Sequence, residues 1–220
     1  MNKDHPILEW QGDVPVAQAF DDPYFSLGNG LEETRHVFLA GNGLPKRFVP
    51  GFHIAELGLG TGLNVLAAWA AWCAEGTAGP LRVTSFEQFP MAPTDMARAH
   101  RAYPELAEVS EALLAGMHAD GMTCDTLELE IILGDARATL PAWSGKADAW
   151  FLDGFSPAKN PELWEPGLLH EVSAHTNALG TAATYSAAGA VRRGLEAAGF
   201  AVTRIPGYGR KRHMTVARLP

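Results

Sequence analysis

The sequence predicts an α/β fold: a doubly wound, mostly parallel sheet closed by an antiparallel C-terminal hairpin, with an N-terminal β-hairpin extension. Three observations predict it. The apolar run Ile54-Ala55-Glu56-Leu57 ends at glycines on every second position (Gly58, Gly60, Gly62), and an Ala-rich apolar pattern suited to a helix follows over 63–74. From residue 52 onward, apolar runs of strand length alternate with helical patterns. The last two β-rich runs, 201–205 and 214–218, are joined by a Gly- and Arg-rich turn at 206–213. That pair departs from an all-parallel arrangement.

Residues 1–50 precede the glycine turn. Asn29-Gly30 is a hairpin signal and 34–39 alternates as a strand does, so this part is expected to form a β-hairpin extension packed over one side of the core. The remaining span, 51–220, is the expected catalytic domain. Its first strand is 53–57 and its first helix 63–74. Strand two is 81–86, ending at Glu87, and helices follow at 92–102, stopping near Pro104, and at 105–118. Strand three is 127–133, then Gly134-Asp135; strand four is 147–152, then Asp153-Gly154. A helix over 161–176 leads to strand five at 181–185, and a helix over 188–198 is stopped by Gly199. No internal repeat or low-complexity linker interrupts the series.

Composition narrows the class. The chain has 220 residues, 47% hydrophobic and 19% charged, which suits one soluble globular domain with a sizeable core. The start, Met1 to Pro6, lacks a basic stretch followed by an apolar one, so no secretory signal is expected. The longest apolar stretch, near 63–74, is interrupted by Asn64 and is too short to span a membrane. Cys73 and Cys124 lie far apart and read as reduced thiols of a cytoplasmic protein, not as a disulfide framework or a metal site. The net charge of -8 is unevenly spread. Residues 188–220 carry seven Lys and Arg against the single acid Glu196, a distribution compatible with a basic patch on an acidic body.

The glycine spacing selects among ligands. A dinucleotide fingerprint, G-x-G-x-x-G, would need a third glycine where Leu63 stands. The pattern present is E-x-G-x-G-x-G, which resembles the first motif of class I S-adenosylmethionine (AdoMet) methyltransferases and implies their Rossmann-like fold. AdoMet carries an ammonium that a carboxylate such as Glu56 can bind, directly or through water. Gly58, Gly60, Thr61, Gly62 and Asn64 make up the candidate turn around it. Further acids stand at the carboxyl ends of strands, where ligands of open α/β sheets bind. Glu87, next to Gln88, can accept both ribose hydroxyls. Asp135 can accept the adenine amine while the Ala136 amide meets a ring nitrogen; its structural alternative is a helix N-cap. Asp153 opens the loop Asp153-Gly154-Phe155-Ser156-Pro157-Ala158-Lys159-Asn160-Pro161, stiffened by two prolines at the active edge. The Asn/Asp-Pro-Pro-aromatic signature of adenine-N6 methylation is absent there.

Longer runs carry a closer resemblance. Phe20-Asp21-Asp22-Pro23-Tyr24-Phe25-Ser26, Asn29-Gly30-Leu31-Glu32-Glu33-Thr34-Arg35, the glycine motif, Ser85-Phe86-Glu87-Gln88-Phe89-Pro90, 148–161 and Gly207-Tyr208-Gly209-Arg210-Lys211-Arg212 span almost the whole chain in order. Together they resemble the tRNA 5-methylaminomethyl-2-thiouridine methyltransferase family, in its stand-alone MnmD type, which is like the methyltransferase domain of bifunctional MnmC. The resemblance implies AdoMet-dependent methylation of the aminomethyl group on the wobble (2-thio)uridine of tRNA. The bifunctional enzyme also carries an FAD-dependent oxidase domain. This sequence stops at Pro220, so the expectation is methylation alone, without FAD or a metal, on an amine supplied by a separate enzyme. The family's Pro-Gly-Gly turn before strand five is reduced here to Asn177-Ala178-Leu179-Gly180, which is expected to alter that turn and not the site.

Methyl transfer to an amine needs a neutral nitrogen, whereas an alkylammonium is largely protonated near pH 7. Asp153 is the candidate to orient the amine and accept its proton. Glu32 and Glu33 are second candidates, with Asn29 and Gly30 lining the pocket. Tyr24 and Phe155 are candidates to stack the extruded base, and Arg192, Arg193, Arg210, Lys211 and Arg212 to meet tRNA phosphates. Two other readings stand beside this one: methylation of a small-molecule amine, and a non-catalytic AdoMet- or RNA-binding module. A monomer is expected, because no exposed apolar helix or heptad is evident.

Overall fold

The computed structural model describes residues 5–220; Met1 to Asp4, on which part of the N-terminal signal reading rests, lie outside the described residues. A small antiparallel sheet comes first, of β1 (Leu8–Gln11), β2 (Val14–Ala17) and β3 (Asp22–Pro23). The expected hairpin is therefore present, but Gly12-Asp13 turns it and not Asn29-Gly30. Asn29 instead caps a helix: its side chain accepts from the Glu32 amide at 3.1 Å at the start of α1 (Gly30–Thr34). The helical path continues through a π-helical turn, Arg35–Leu39, and a 3-10 turn, Ala40–Asn42. The strand expected at 34–39 is thus helical. The reason is burial: Val37, Phe38 and Leu39 are all buried, three consecutive residues that a half-buried strand cannot turn to one face.

The main sheet has eight strands in the order β10-β11-β9-β8-β4-β5-β7-β6. These are β4 (His53–Leu57), β5 (Leu81–Glu87), β6 (Gly121–Thr123), β7 (Leu127–Leu133), β8 (Ala147–Leu152), β9 (Thr176–Thr184), β10 (Ala201–Pro206) and β11 (His213–Arg218). β9, β8, β4, β5 and β7 run parallel, and β11 lies antiparallel between β9 and β10. The mostly parallel sheet with its C-terminal hairpin matches the expectation. The short edge strand β6, antiparallel to β7, was not anticipated.

Among the described residues six further α-helices complete the fold: α2 (Leu63–Glu75), α3 (Pro93–His100), α4 (Ala107–Gly116), α5 (Ala136–Thr139), α6 (Pro166–Ala174) and α7 (Gly189–Ala197). The helix expected over 161–176 is broken, a 3-10 turn at Pro161–Trp164 giving way to α6 after Glu165. Two apolar layers sandwich the sheet, as the period of two requires. Ile54, Val83, Leu129, Ala149 and Phe151 face α1, α2 and α4, while Ala55, Leu57, Phe86, Trp150 and Leu152 face α5, α6 and α7. The chain enters β8 from β4's other side than it enters β5, so β4 marks the switch point where a crevice opens beyond the strand ends. No described helix is long and apolar enough to cross a membrane, and both cysteines are free thiols.

Strand five also differs from expectation. β9 starts at Thr176, and its register against β8 jumps from Ala147↔Thr176 to Ala149↔Thr181, so residues 177–180 bulge from the ladder. Inside that bulge Leu179 adopts φ 62°, a left-handed conformation unfavourable for a side chain with a Cβ, and is 56% exposed. Leu179→Gly should therefore raise stability by up to about 1 kcal/mol in urea denaturation, since relief of the strain outweighs glycine's greater unfolded-state entropy.

Candidate active site

The turn after β4 is built by glycines with positive φ: Gly58 at 86°, Gly60 at 54° and Gly62 at 76°. Close approach, as well as conformation, requires them. A Cβ on Gly58 would stand 3.3 Å from the Asp153 carbonyl oxygen, and one on Gly60 3.0 Å from the Tyr24 ring. The turn is tied down on both sides. The Gly58 amide donates to Phe86 O at 2.9 Å, the Gly60 amide donates to Glu87 Oε2 at 3.0 Å, and Thr61 O lies 2.7 Å from His100 Nε2. Burial lowers the His100 pKa, so the ring is neutral and donates that bond.

A cavity of about 1200 Å³ opens beside this turn. That exceeds the usual volume of a single-ligand pocket, roughly 300–1,000 Å³, and leaves room for two ligands side by side. Gly58, Gly60, Thr61 and Asn64 line it from the turn; Glu87, Gln88, Asp135 and Ala136 from the ends of β5 and β7; Asp153 and Phe155 from the loop after β8. Tyr24, Asn29, Gly30 and Glu33 enter from the N-terminal segment, and Tyr208, Arg210 and Lys211 from the β10–β11 turn. The chain thus brings residues more than 180 positions apart in sequence around one space.

Several expected residues stand elsewhere. Gly62 backs onto Met96 and Leu113 and does not reach the cavity. Glu32 pairs with Arg35 outside it; one residue is about 100° of helix, so Glu33 points in where Glu32 points away. Arg192, Arg193 and Arg212 are not on the cavity wall either. Arg192 and Arg212 gather with Arg204 around His213 and depress its pKa, burial being the larger cause. Lys211 was expected to face phosphates, but it turns inward: Nζ lies 2.7 Å from Glu33 Oε1 and 4.0 Å above the centre of the Tyr185 ring.

The carboxylates occupy unlike settings. Glu56 is fully buried on the α2 side of β4 and lies behind the cavity wall, with neither oxygen hydrogen-bonded. Burial pushes its pKa up to about 8, while Ser85 and Asn64 nearby pull it down without closing a hydrogen bond. Glu87 accepts at both oxygens, from Gly60 and from the Phe89 amide at 2.7 Å. Asp135 caps α5 and is gripped by the Arg137 guanidinium at 2.7 Å, which holds its carboxyl below the usual range. Asp153 is partly buried at the cavity floor, and burial pushes it up to about 6 against hydrogen bonds from Asn64 and the Gly154 amide.

An aromatic wall flanks Asp153. Phe155 stacks on Phe20 at 4.5 Å between ring centres and meets Tyr24 edge-on at 5.1 Å. Asp22 accepts from the Ser156 amide at 2.8 Å, and Lys159 reaches Asp21 and Asp22, so β3 is latched to this loop. Sequence reasoning missed Tyr185, whose hydroxyl donates to Gly154 O at 2.6 Å. Its place at the carboxyl end of strand five was the available signal. Thr34 was missed too, although it lies in the run Asn29 to Arg35 that carries the family resemblance.

The residues fit AdoMet. A glycine turn that opens on the cavity and an acid at the end of β5 able to accept from ribose hydroxyls suit that molecule, while the unpartnered carboxylate of Glu56 stands behind the turn. A family profile described as S-adenosyl-L-methionine-dependent methyltransferase matches residues 98–220, more than half of the sequence. The chain belongs to this family. The methyltransferase is 43% identical to the "tRNA 5-methylaminomethyl-2-thiouridine biosynthesis bifunctional protein MnmC" of Chromobacterium violaceum, across 98% of this chain and 34% of that one. The protein of the same name from Hahella chejuensis is 46% identical, across 97% and 36%. The methyltransferase therefore spans about a third of the length of these curated relatives. Among solved structures, MnmC2 from Aquifex aeolicus superposes with a TM-score of 0.77 at 27% identity, covering 99% of this chain and 72% of that one.

Glu56 gives a prediction with a definite sign. Its unfolded pKa is the ordinary 4.5 and its folded value about 8, so folding takes up a proton between them. The stability this group contributes is complete below the lower value and lost as pH rises through the higher. Glu56→Gln cannot ionise. In ligand-free protein its advantage in urea denaturation should be absent near pH 4 and grow to roughly 1–3 kcal/mol by about pH 9. An advantage independent of pH would show that folding leaves the Glu56 pKa unshifted.

Proposed function

We propose that this methyltransferase N-methylates the 5-aminomethyl group of wobble (2-thio)uridine in tRNA, giving the 5-methylaminomethyl nucleoside. The observation that carries the reading is Asp153. It is a desolvated carboxylate with pKa about 6, facing a cavity large enough for a nucleoside beside the cofactor cradle. The names of the relatives at 43% and 46% identity supply the substrate class. A tRNA substrate accords with a cytoplasmic location.

AdoMet, when bound, supplies an electrophilic methyl group. Glu87 would hold its ribose, with Gly58, Gly60, Thr61, Asn64 and Gln88 around it and Asp135 and Ala136 at the adenine, while Glu56, behind the turn, would reach its ammonium only through a water. The N-terminal extension, residues 1–50, lends the substrate side: Tyr24, Asn29, Gly30 and Glu33. Asp153 orients the amine and accepts its proton. The match is favourable because burial raises the carboxylate's basicity yet leaves it largely ionised at pH 7. Glu33 is buried and its charge is shared with Lys211, which suits it to attract the ammonium but not to take the proton. Phe155 and Tyr24 offer faces and edges against which a base taken out of its stack can rest.

The direct experiment uses tRNA from cells lacking the gene, incubated with protein and AdoMet and analysed as nucleosides by mass spectrometry. The aminomethyl nucleoside should be converted to its N-methyl form, and Asp153→Asn should lower kcat by at least about 10²-fold. With that nucleoside present and AdoMet bound, an unchanged profile would redirect the reading to a small-molecule amine. Electrostatic docking has its own test. RNA affinity should fall linearly on a log–log salt plot, and Arg210→Ala should reduce the slope by about one unit for each lost phosphate contact.

A further inference from the structure

Asp153 is held from two sides. Its Oδ1 accepts the Gly154 amide at 2.9 Å, and its Oδ2 accepts Asn64 Nδ2–H at 2.8 Å. The Asn64 amide is itself held: its Oδ1 accepts the Thr34 hydroxyl at 3.0 Å. Thr34 ends α1, Asn64 lies in the first turn of α2 and Asp153 follows β8, so the chain of bonds joins three segments. Thr34 and Asn64 are both buried, at 4% and 5% exposure, so water does not freely replace either partner.

A carboxamide has two ends of opposite sense. An ionised carboxylate only accepts, so the NH2 end must face Asp153 and Oδ1 must point back toward α1. A buried carbonyl needs a donor there, and Thr34 provides it. We propose that Thr34 is a positioning residue for the reaction, holding the Asn64 carboxamide with its NH2 on the Asp153 carboxylate. The proposal rests on the reading of Asp153 as proton acceptor.

The surroundings make this donor matter. Glu33 on α1 opposes ionisation of Asp153, Lys211 from the β10–β11 turn favours it, and Glu56 on β4 and Tyr185 from the end of β9 are uncharged where Asp153 titrates. Burial is the largest force against the charge, and the Asn64 bond is the largest in its favour, ahead of Gly154. The Gly154 amide is fixed by the backbone, whereas Asn64 can rotate. Without the hydroxyl, Oδ1 is left buried and unpaired, so the amide turns or admits water and its donor leaves Asp153.

The test follows the Asp153 carboxyl directly, by carbon-13 NMR titration of the full chain, with Asp153→Asn assigning the signal. Thr34→Val removes the hydroxyl at constant shape and should raise the titration midpoint by roughly half a pH unit or more. It should also lower kcat by roughly three- to tenfold at saturating AdoMet. Thr34→Ser keeps the donor and should return the midpoint to that of the parent. Thr34→Ala serves as a second removal if the valine variant does not fold. An unmoved midpoint in the folded variant lacking the hydroxyl, with Asp153→Asn inactive, overturns the role of Thr34 alone. Turnover of Asp153→Asn at the parent rate overturns the proton-acceptor reading, and the role of Thr34 with it.

Discussion

Where the backbone leaves β4 it passes within van der Waals reach of the backbone leaving β8, and a side chain at Gly58 would press on the Asp153 carbonyl. That approach is the constraint on which the site depends. It places the turn that cradles one ligand against the loop that carries the acid for the other, at the sheet's switch point. The turn is stitched to β5 through Phe86 and Glu87 and to α3 through His100. It is consequently held by packed elements, which fixes reacting groups more closely than a free loop can.

The same physics decides what was legible in the sequence. Strands 127–133 and 147–152 were read with their observed ends because long apolar runs bounded by turn residues have few alternatives. The edge strand β6 was invisible, since three residues with one large apolar side chain, Met122, carry no period. At 34–39, Thr-Arg-His-Val-Phe-Leu alternates weakly for half its length, and the tertiary burial of Val37, Phe38 and Leu39 overrode it. The strand-end acids were legible because position along a parallel strand predicts nearness to the crevice. Which way each carboxylate turned was not: Glu56 points behind the wall and Asp135 toward Arg137, outcomes set by neighbours distant in sequence.

The basic C-terminal segment shows the same limit. Its composition announced a cationic surface, but Lys211 finds Glu33 and the Tyr185 face, over 170 residues and two layers of the fold away from any local cue in the case of Glu33. Charge is thereby segregated within one cavity. Glu33, Glu87 and Asp153 lie at its inner walls, while Arg210 is exposed at its edge.

For the substrate proposed above, an alkylammonium carried on a polyanion, that separation would resolve a conflict. Phosphates need cations and the ammonium needs anions, and mixing the two sets would neutralise both. Acids at the floor attract the ammonium but also stabilise its proton, which opposes methyl transfer. Two features counter this. The Glu33 charge is shared with Lys211, so it does not act in full on the amine. In the proposed reaction Asp153, made more basic by burial yet kept ionised by Asn64 and Gly154, would be a better proton acceptor than a surface aspartate. The hydrogen bonds that hold Asp153 therefore have to be strong enough to keep it charged and weak enough to leave it basic. That balance places the tuning of this site in its neutral neighbours as much as in its acids.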